Sequence, residues 1–166
     1  MMWQRLARLR VPLGFLGTAA AFFLAHPTKQ SLLVGGLVAL MGEALRVWAS
    51  GHIDKGREVT RSGPYRFVRH PLYLGSAIMA AGFSVASLSR WVAAIAAVYV
   101  GTTFVAAMRT EEALLDRQFS GEYSEYRQGR AAPVARPFSF ARVIANREYQ
   151  AMAGLGVAIG ILALKL

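Results

Sequence analysis

The stretch GPYRFVRHPLYLG, Gly63–Gly75, sets two arginines, a histidine, two tyrosines and two prolines against the start of an apolar run. Pro71 suits the first turn of a helix, where its missing N–H group is not needed. The free N–H groups of that helix would favour an anion, and Arg66, Arg69 and His70 stand beside them. Tyrosine and arginine are also ordinary anchors at a membrane interface. The stretch alone therefore allows either a binding site or an anchor.

The composition indicates a membrane protein with one domain, residues 1–166. Hydrophobic residues make up 55% of the chain and charged residues 17%, against roughly 25% in a typical soluble domain. The formal charge of +10 fits anionic lipid headgroups better than nucleic acid, whose binders are rarely this apolar. There is no cysteine, and the three histidines lack a metal-binding spacing. We therefore expect a bilayer as partner, no nucleic acid and no metal.

Five apolar segments predict an all-α integral membrane fold with five transmembrane helices. The predicted helices span residues 11–25, 31–49, 71–87, 91–108 and 149–166. In the second helix, small residues predict close helix packing, namely Gly35, Gly36, Ala39 and Gly42. The first segment also fits a cleaved secretory signal, but cleavage would leave the remaining charge pattern less coherent.

Two polar stretches, residues 50–70 and 109–148, fall on the same side of a five-helix bundle as the basic N-terminus. The positive-inside rule makes that side the cytoplasm, and we expect a bacterial-type inner (plasma) membrane. Within the second stretch, EEALLDRQF has the apolar spacing of a helix that extends the fourth span. The segment GRAAPVARPF should then break that helix.

Charged residues at membrane depth are costly and usually face a bundle interior. Glu43 and Arg46 lie three positions apart and can pair on one helix face, as a structural ion pair or as part of a cavity wall.

Glu111 and Glu112 begin the helical extension on the same side as Arg69 and His70, and the third and fourth helices are neighbours in a hairpin. Carboxylates facing an arginine and a histidine suit a zwitterion such as an amino acid group. A solvated helix face is the alternative interpretation of the two glutamates.

Tyr123 and Tyr126 lie three positions apart beside Arg127. This spacing describes a solvated amphipathic turn, or a lid over a bound cofactor.

The segments SGPYRFVRHPLYLG and EEALLDRQFSGEYSEY together resemble the isoprenylcysteine carboxyl methyltransferase family, membrane enzymes related in pattern to the phospholipid N-methyltransferases. The resemblance covers roughly residues 42–138. The family motif RHPxYxG is met in full, and its Glu-Glu pair is met by Glu111 and Glu112. Where the family has Phe-Gly, this chain has Phe119, Ser120 and then Gly121. The turn that precedes Tyr123 and Tyr126 is therefore expected to differ from that of the family.

The resemblance implies S-adenosyl-L-methionine as the methyl donor, held on the cytoplasmic side in a pocket formed by two loops and a helical extension. The implied cofactor contacts are Glu58, Val59, Thr60, Tyr65, His70, Pro71, Leu72, Tyr73, Gly75 and Glu111. We expect Arg69, Arg109 and Glu112 to act in catalysis, where the arginines would position the acceptor or the cofactor carboxylate. Tyr123, Tyr126 and Arg127 are expected to contact the substrate.

The expected reaction is methyl transfer to a lipophilic, membrane-embedded acceptor that carries a carboxylate, an amine or a thiol. The sequence does not choose among O-, N- and S-methylation, and it leaves the oligomeric state, organism and pathway open. Two alternatives stay open. One is an NADPH-dependent membrane enzyme similar to sterol reductases, and the other is a non-catalytic membrane scaffold whose basic loops bind lipid.

Overall fold

The computed structural model describes Gly14 and residues 16–119 and 121–166. The beginning of the predicted first helix, residues 11–13, and Ser120 lie outside the described residues. The described part of the chain forms helices and no strand, which confirms the all-helical prediction.

Five stretches of the described chain form the longer helices. They are α1 (residues 16–24), α2 (Lys29–Ser50), α3 (Pro71–Ser87) and a continuous helix, Arg90–Gln118, followed later by α8 (Tyr149–Ala163). The continuous helix consists of α4 (Arg90–Tyr99), a π-helical segment (Val100–Phe104) and α5 (Val105–Gln118). The shorter elements are a 3₁₀ helix (Gly63–Arg66), α6 (Glu122–Arg127) and α7 (Phe140–Ala145).

Two of the described helices, α2 and Arg90–Gln118, are long and apolar enough to cross a membrane. The helices α3 and α8 are apolar but shorter. Large apolar side chains on α2 point outward, and Leu37, Leu40 and Met41 are 55%, 59% and 69% exposed. Such a surface suits lipid better than water. A bundle of five transmembrane helices stays a prediction.

The second polar stretch is more helical than the sequence predicted. The fourth helix continues through Gln118, as the apolar spacing indicated, but it ends there and not at GRAAPVARPF. Gly121 has a φ of 87°, a left-handed conformation that glycine adopts readily, and α6 begins directly after it. The turn expected from a Phe-Gly pair is thus made one residue later. The last helix ends at Ala163 and not at Leu166.

The helices α2 and α3 touch through their backbones at glycines. A Cβ atom on Gly42 would lie 2.6 Å from the carbonyl oxygen of Gly75, and one on Gly75 would lie 2.7 Å from that of Gly42. A Cβ atom on Gly35 would collide with the carbonyl oxygen of Gly82. Close packing is therefore confirmed at Gly35 and Gly42. The prediction is wrong for Gly36, where an added Cβ would meet nothing within 4 Å.

Replacement of Gly42 by alanine should destabilise the protein by about 1 to 3 kcal/mol, because the added methyl group has no room between the two backbones. The matched variant Gly36→Ala should be neutral or stabilising by up to about 1 kcal/mol, because alanine favours a helix more than glycine does. Loss of helical circular dichroism on heating of the detergent-purified variants measures both effects. Equal loss of stability in the two variants would contradict this packing.

Arg46 joins three helices. Its Nε atom lies 2.7 Å from Oε1 of Glu148, which precedes α8, and 3.9 Å from Oε2 of Glu43 on its own helix. Its Nη1 atom donates hydrogen bonds to the carbonyl oxygen of Leu72 and the hydroxyl of Ser76 on α3. The sequence paired Arg46 with Glu43, but the closer carboxylate comes from 102 residues further along the chain.

Glu43 is buried, and its two carboxylate oxygens have no hydrogen-bond partner among the described residues. The interaction of Glu43 with Arg46, at 3.9 Å, is therefore weaker than that of Glu148, at 2.7 Å.

We expect Glu148→Ala to destabilise the protein by about 2 to 4 kcal/mol, somewhat less than for a fully buried pair, because it leaves the half-buried Arg46 guanidinium without its closest partner. Glu43→Ala should cost clearly less, since it removes a buried carboxyl group that lacks hydrogen bonds. Thermal unfolding of the two variants side by side measures the difference. If Glu43→Ala were the more damaging change, Glu43 would be the principal partner of Arg46.

Candidate functional site

In the 3₁₀ helix Gly63–Arg66, the side chains of Tyr65 and Arg66 point in opposite directions. Gly63 has a φ of 55°, and a Cβ atom there would collide with the ring of His52, so glycine fits this turn best. Pro64 follows in the first turn, and the backbone N–H of Tyr65 donates to the carbonyl of Ser62 over 3.2 Å. As a result Tyr65 points inward while Arg66 is exposed.

The helix α5 brings Glu112 against the start of α3. Its Oε1 atom lies 2.9 Å from Nε2 of His70 and 3.2 Å from Nη1 of Arg69. The His70 and Glu112 side chains are only 16% and 23% exposed. One carboxylate therefore fixes both basic side chains, and the two sequence motifs meet in space.

A cavity of about 210 Å³ opens beside this cluster. Its walls come from the segment before the 3₁₀ helix, the start of α3, one face of α5, and α6. The described residues that line it are Ile53, Lys55, Gly56, Glu58, Val59, Thr60, Tyr65, Arg69, His70, Glu111, Leu114, Leu115, Gln118, Tyr123 and Tyr126. Nine of these were predicted site residues. The hydroxyl oxygens of Thr60 and Tyr65 are buried and find no hydrogen-bond partner within the described chain.

Charges of both signs face the cavity. Lys55, Arg69 and His70 supply basic groups, while Glu58 and Glu111 supply carboxylates. Glu111 makes no salt bridge with any described residue, in contrast to Glu112, which is engaged by Arg69 and His70. This wall can therefore bind a zwitterion, with Glu111 available for its cationic group.

The three tyrosines of the cavity are held in the neutral form. Burial, followed by the nearby Glu111 carboxylate, raises the pKa of Tyr65. Burial and the Glu112 carboxylate raise the pKa of Tyr123. Burial also raises the pKa of Tyr126 to about 12, although Arg69 acts in the opposite direction, and its hydroxyl donates to the carbonyl of Tyr65 over 2.7 Å. At neutral pH these phenols keep their protons, so their hydroxyl groups can donate hydrogen bonds and their rings form aromatic walls of the cavity.

Several residues of the RHPxYxG motif lie outside the cavity wall. Pro71 is buried at the start of α3, the Leu72 carbonyl accepts from Arg46, and Gly75 packs against α2. The Tyr73 ring stacks edge-on between His70 and Phe104, with ring centroids 5.8 and 5.5 Å apart. As cofactor contacts these four residues stay predictions. Of these four residues, Tyr73 supports the His70 ring directly, while Leu72 and Gly75 contact α2.

Two further predicted residues also stand apart from the cavity. Arg127 lies 3.6 Å from Asp116 in a half-exposed ion pair, and Arg109 is not among the described residues that line the wall. Their predicted roles in substrate binding and catalysis are untested by this geometry.

The sequence prediction missed one face of α5. Leu114, Leu115 and Gln118 line the cavity together with Glu111, and the Gln118 amide donates to the carbonyl of Gly56 over 2.7 Å. The spacing of these residues could have predicted this face, because positions three, four and seven residues after Glu111 lie on the same side of a helix. Lys55 and Ile53 were also missed, and their irregular loop offers no such periodicity.

The chain resembles known proteins across these same elements. A family model described as phospholipid methyltransferase matches residues 32–122. The nickel-cobalt-cadmium resistance protein NccN of Alcaligenes xylosoxydans xylosoxydans is 34% identical over 97 residues, which are 57% of this chain and 45% of that protein. The cobalt-zinc-cadmium resistance protein CzcN of Cupriavidus metallidurans is 31% identical over 97 residues, 57% of this chain and 44% of that protein.

The match to these relatives thus spans less than half of their length. No solved structure matches the chain. No group of three or more His, Cys, Asp or Glu that could hold a metal ion occurs in the described part of the chain.

The family match covers more than half of the chain and contains both the RHPxYxG motif and the glutamate pair. It supports the broader membrane methyltransferase group, while the narrower isoprenylcysteine carboxyl methyltransferase assignment is not tested. The chain belongs to the phospholipid methyltransferase family.

Proposed function

We propose that this protein transfers a methyl group from S-adenosyl-L-methionine to a lipophilic acceptor held in the bilayer. Methyltransferases of its family generally use that donor. The observation that carries the proposal is the cavity where the two motifs meet, with charges of both signs and with the buried hydroxyls of Thr60 and Tyr65, which lack partners among the described residues. Unpaired buried polar atoms are rare in proteins, and a bound ligand would satisfy them.

The residues of the cavity fit the amino acid end of the donor. Glu111 would accept from its ammonium group, and Arg69 would bind its carboxylate near the N-terminus of α3. The volume of about 210 Å³ is below the roughly 300 to 1,000 Å³ of pockets that enclose a drug-sized ligand. The enclosed part would therefore hold one end of the donor, and the remainder would extend through the mouth.

Glu112 has a positioning role in this proposal. It holds the Arg69 guanidinium and the His70 imidazole within 3.2 and 2.9 Å of its Oε1 atom, so both basic groups are oriented before the donor arrives. Such preorganisation lowers the entropic cost of alignment, on which the rate of a displacement reaction depends.

When bound, the donor supplies an electrophilic methyl group on a sulfonium, which becomes a neutral thioether as the acceptor forms its new bond to carbon. The chain itself would bind and orient the donor and the acceptor, and it would exclude water from them. The neutral faces of Tyr65, Tyr123 and Tyr126 suit a sulfonium cation, because aromatic faces attract positive charge.

The acceptor would reach the site sideways from the bilayer, since an apolar surface surrounds the helices. The family description favours a phospholipid, and the resemblance of the motifs also allows an isoprenylcysteine-like carboxylate. We infer that this side of the protein faces the cytoplasm, because basic residues between helices favour that side by the positive-inside rule.

Calorimetric titration of the detergent-purified protein with S-adenosylhomocysteine and with NADPH separates methyl transfer from the reductase and scaffold alternatives. We expect binding of S-adenosylhomocysteine alone. Glu111→Gln should weaken it by about 10- to 100-fold, the equivalent of a charge-assisted hydrogen bond of about 1.5 to 3 kcal/mol. The control Glu125→Gln removes the same charge from an exposed position on α6 and should bind as the wild type does. Binding of NADPH, or unchanged binding in Glu111→Gln, would overturn the site.

Tyr65→Phe tests the hydroxyl that lacks a partner. Removal of a buried, unsatisfied hydroxyl should leave the stability of the ligand-free protein unchanged or raised, and should weaken S-adenosylhomocysteine binding by several-fold. Thermal unfolding without ligand and calorimetry with it measure the two effects separately. Tyr149→Phe, at a tyrosine that is 52% exposed, is the matched control. A loss of stability without any loss of affinity would show that the hydroxyl serves the fold.

A further inference from the structure

A second cavity, of about 500 Å³, lies on the other side of the 3₁₀ helix. The described residues that line it are Trp48, His52, Gly63, Arg66, Val134, Ala135, Arg136 and Pro137. The two cavities share a wall, because Tyr65 faces the first and its neighbours Gly63 and Arg66 face the second. A salt bridge crosses this wall, in which Nη2 of Arg136 lies 2.6 Å from Oε2 of Glu58.

The second cavity is basic. Arg66 and Arg136 line it, and no carboxylate does so among the described residues. Arg66 is exposed and makes no salt bridge with a described residue. Arg136 uses one nitrogen on Glu58, while its Nη1 atom is buried and has no hydrogen-bond partner in the described chain. Two guanidiniums therefore have donors to spare at one cavity.

The environment of His52 reflects the positive charge of the second cavity. The ring is buried and its Nδ1 atom lies 3.1 Å from the hydroxyl of Ser62. Burial, and then the positive charges of Arg142 and Arg136, lower the pKa of His52, so the imidazole stays neutral at pH 7 and can donate or accept a hydrogen bond.

Trp48 places this cavity at the level of a membrane surface. It lies near the C-terminal end of α2, a helix long enough to span a bilayer, and its side chain is 42% exposed. Tryptophan is enriched at the headgroup level of membranes, where its ring meets both lipid and water.

We propose that the second cavity binds a phosphate group, held by Arg66 and Arg136 and bordered by His52 and Trp48. Guanidinium groups present several N–H donors in a planar arrangement that matches the oxygens of a phosphate, so the free donors of Arg66 and the Nη1 atom of Arg136 suit this group. The phosphate could belong to a lipid headgroup at the interface or to a soluble phosphate ester. The inference does not depend on methyl transfer, because it concerns a different cavity and needs no methyl donor.

Binding measurements with two probes distinguish the sources. The first probe is glycerol phosphate in solution, and the second is a short-chain phosphatidic acid in neutral detergent micelles, with diacylglycerol micelles as the phosphate-free control. We expect the protein to bind phosphatidic acid and not diacylglycerol. Equal affinity for glycerol phosphate would assign the site to soluble esters, and failure to bind either phosphate probe would overturn the proposal.

Arg66→Gln should reduce the affinity for the phosphate probe by about tenfold or more, the equivalent of one charge-assisted contact. Arg130→Gln is the matched control, because it removes the same charge from an exposed residue that does not line the cavity, and its affinity should stay within about twofold. Equal losses in the two variants would show general attraction to a basic surface and would overturn the site.

Calorimetry with S-adenosylhomocysteine separates this proposal from the previous one. Arg66→Gln should bind S-adenosylhomocysteine as the wild type does, because Arg66 faces away from the first cavity. A parallel loss of both ligands would mean that the variant disturbs the shared wall, and Arg136→Gln, probed for phosphate alone, would then decide. An unchanged phosphate affinity in Arg136→Gln would overturn the site.

Discussion

The backbone contact between α2 and α3 is the constraint on which the rest of the structure depends. At Gly42 and Gly75 the two helices approach so closely that a single methyl group would not fit between them. This contact fixes where α3 begins relative to the end of α2. The residues at those two ends, including Trp48, His52, Arg69 and His70, then line the two cavities.

Arg46 adds polar interactions to this backbone contact. It reaches Glu148 at the start of α8 and two groups on α3, and it does so from a helix long enough to lie within a membrane. A buried ion pair adds little net stability, but it penalises every arrangement that would leave one partner alone. Arg46 therefore helps to select one arrangement of the three helices. Hydrophobicity alone would not distinguish this arrangement from others.

The two cavities lie on opposite sides of one wall. The 3₁₀ helix sends Tyr65 to one side and Arg66 to the other, and the pair Glu58–Arg136 connects the walls over 2.6 Å. A lipid phosphate on one side and a methyl donor on the other would thus lie next to each other. If both proposals hold, the wall is the place where binding of one ligand can influence the other, because Glu58 lines the first cavity, Arg136 lines the second, and the two form a salt bridge.

Helical content, the start of α3 at Pro71 and the meeting of the two motifs followed from the sequence, because these features depend on local spacing and on short connections. Apolar periodicity and proline act within one or two turns, and a hairpin of two helices leaves little freedom for the residues at its open end. The face of α5 that includes Leu114 and Gln118 was equally readable from its spacing to Glu111.

The tertiary structure alone decided which charges meet. Arg46 pairs with Glu148 from 102 residues away and only weakly with Glu43, which is three residues away. Arg66 and Arg69 are three positions apart in the sequence, yet they face different cavities. The physical reason is that a sequence specifies which neighbours share a helix face, whereas the partner of a long side chain depends on how separate helices pack against one another.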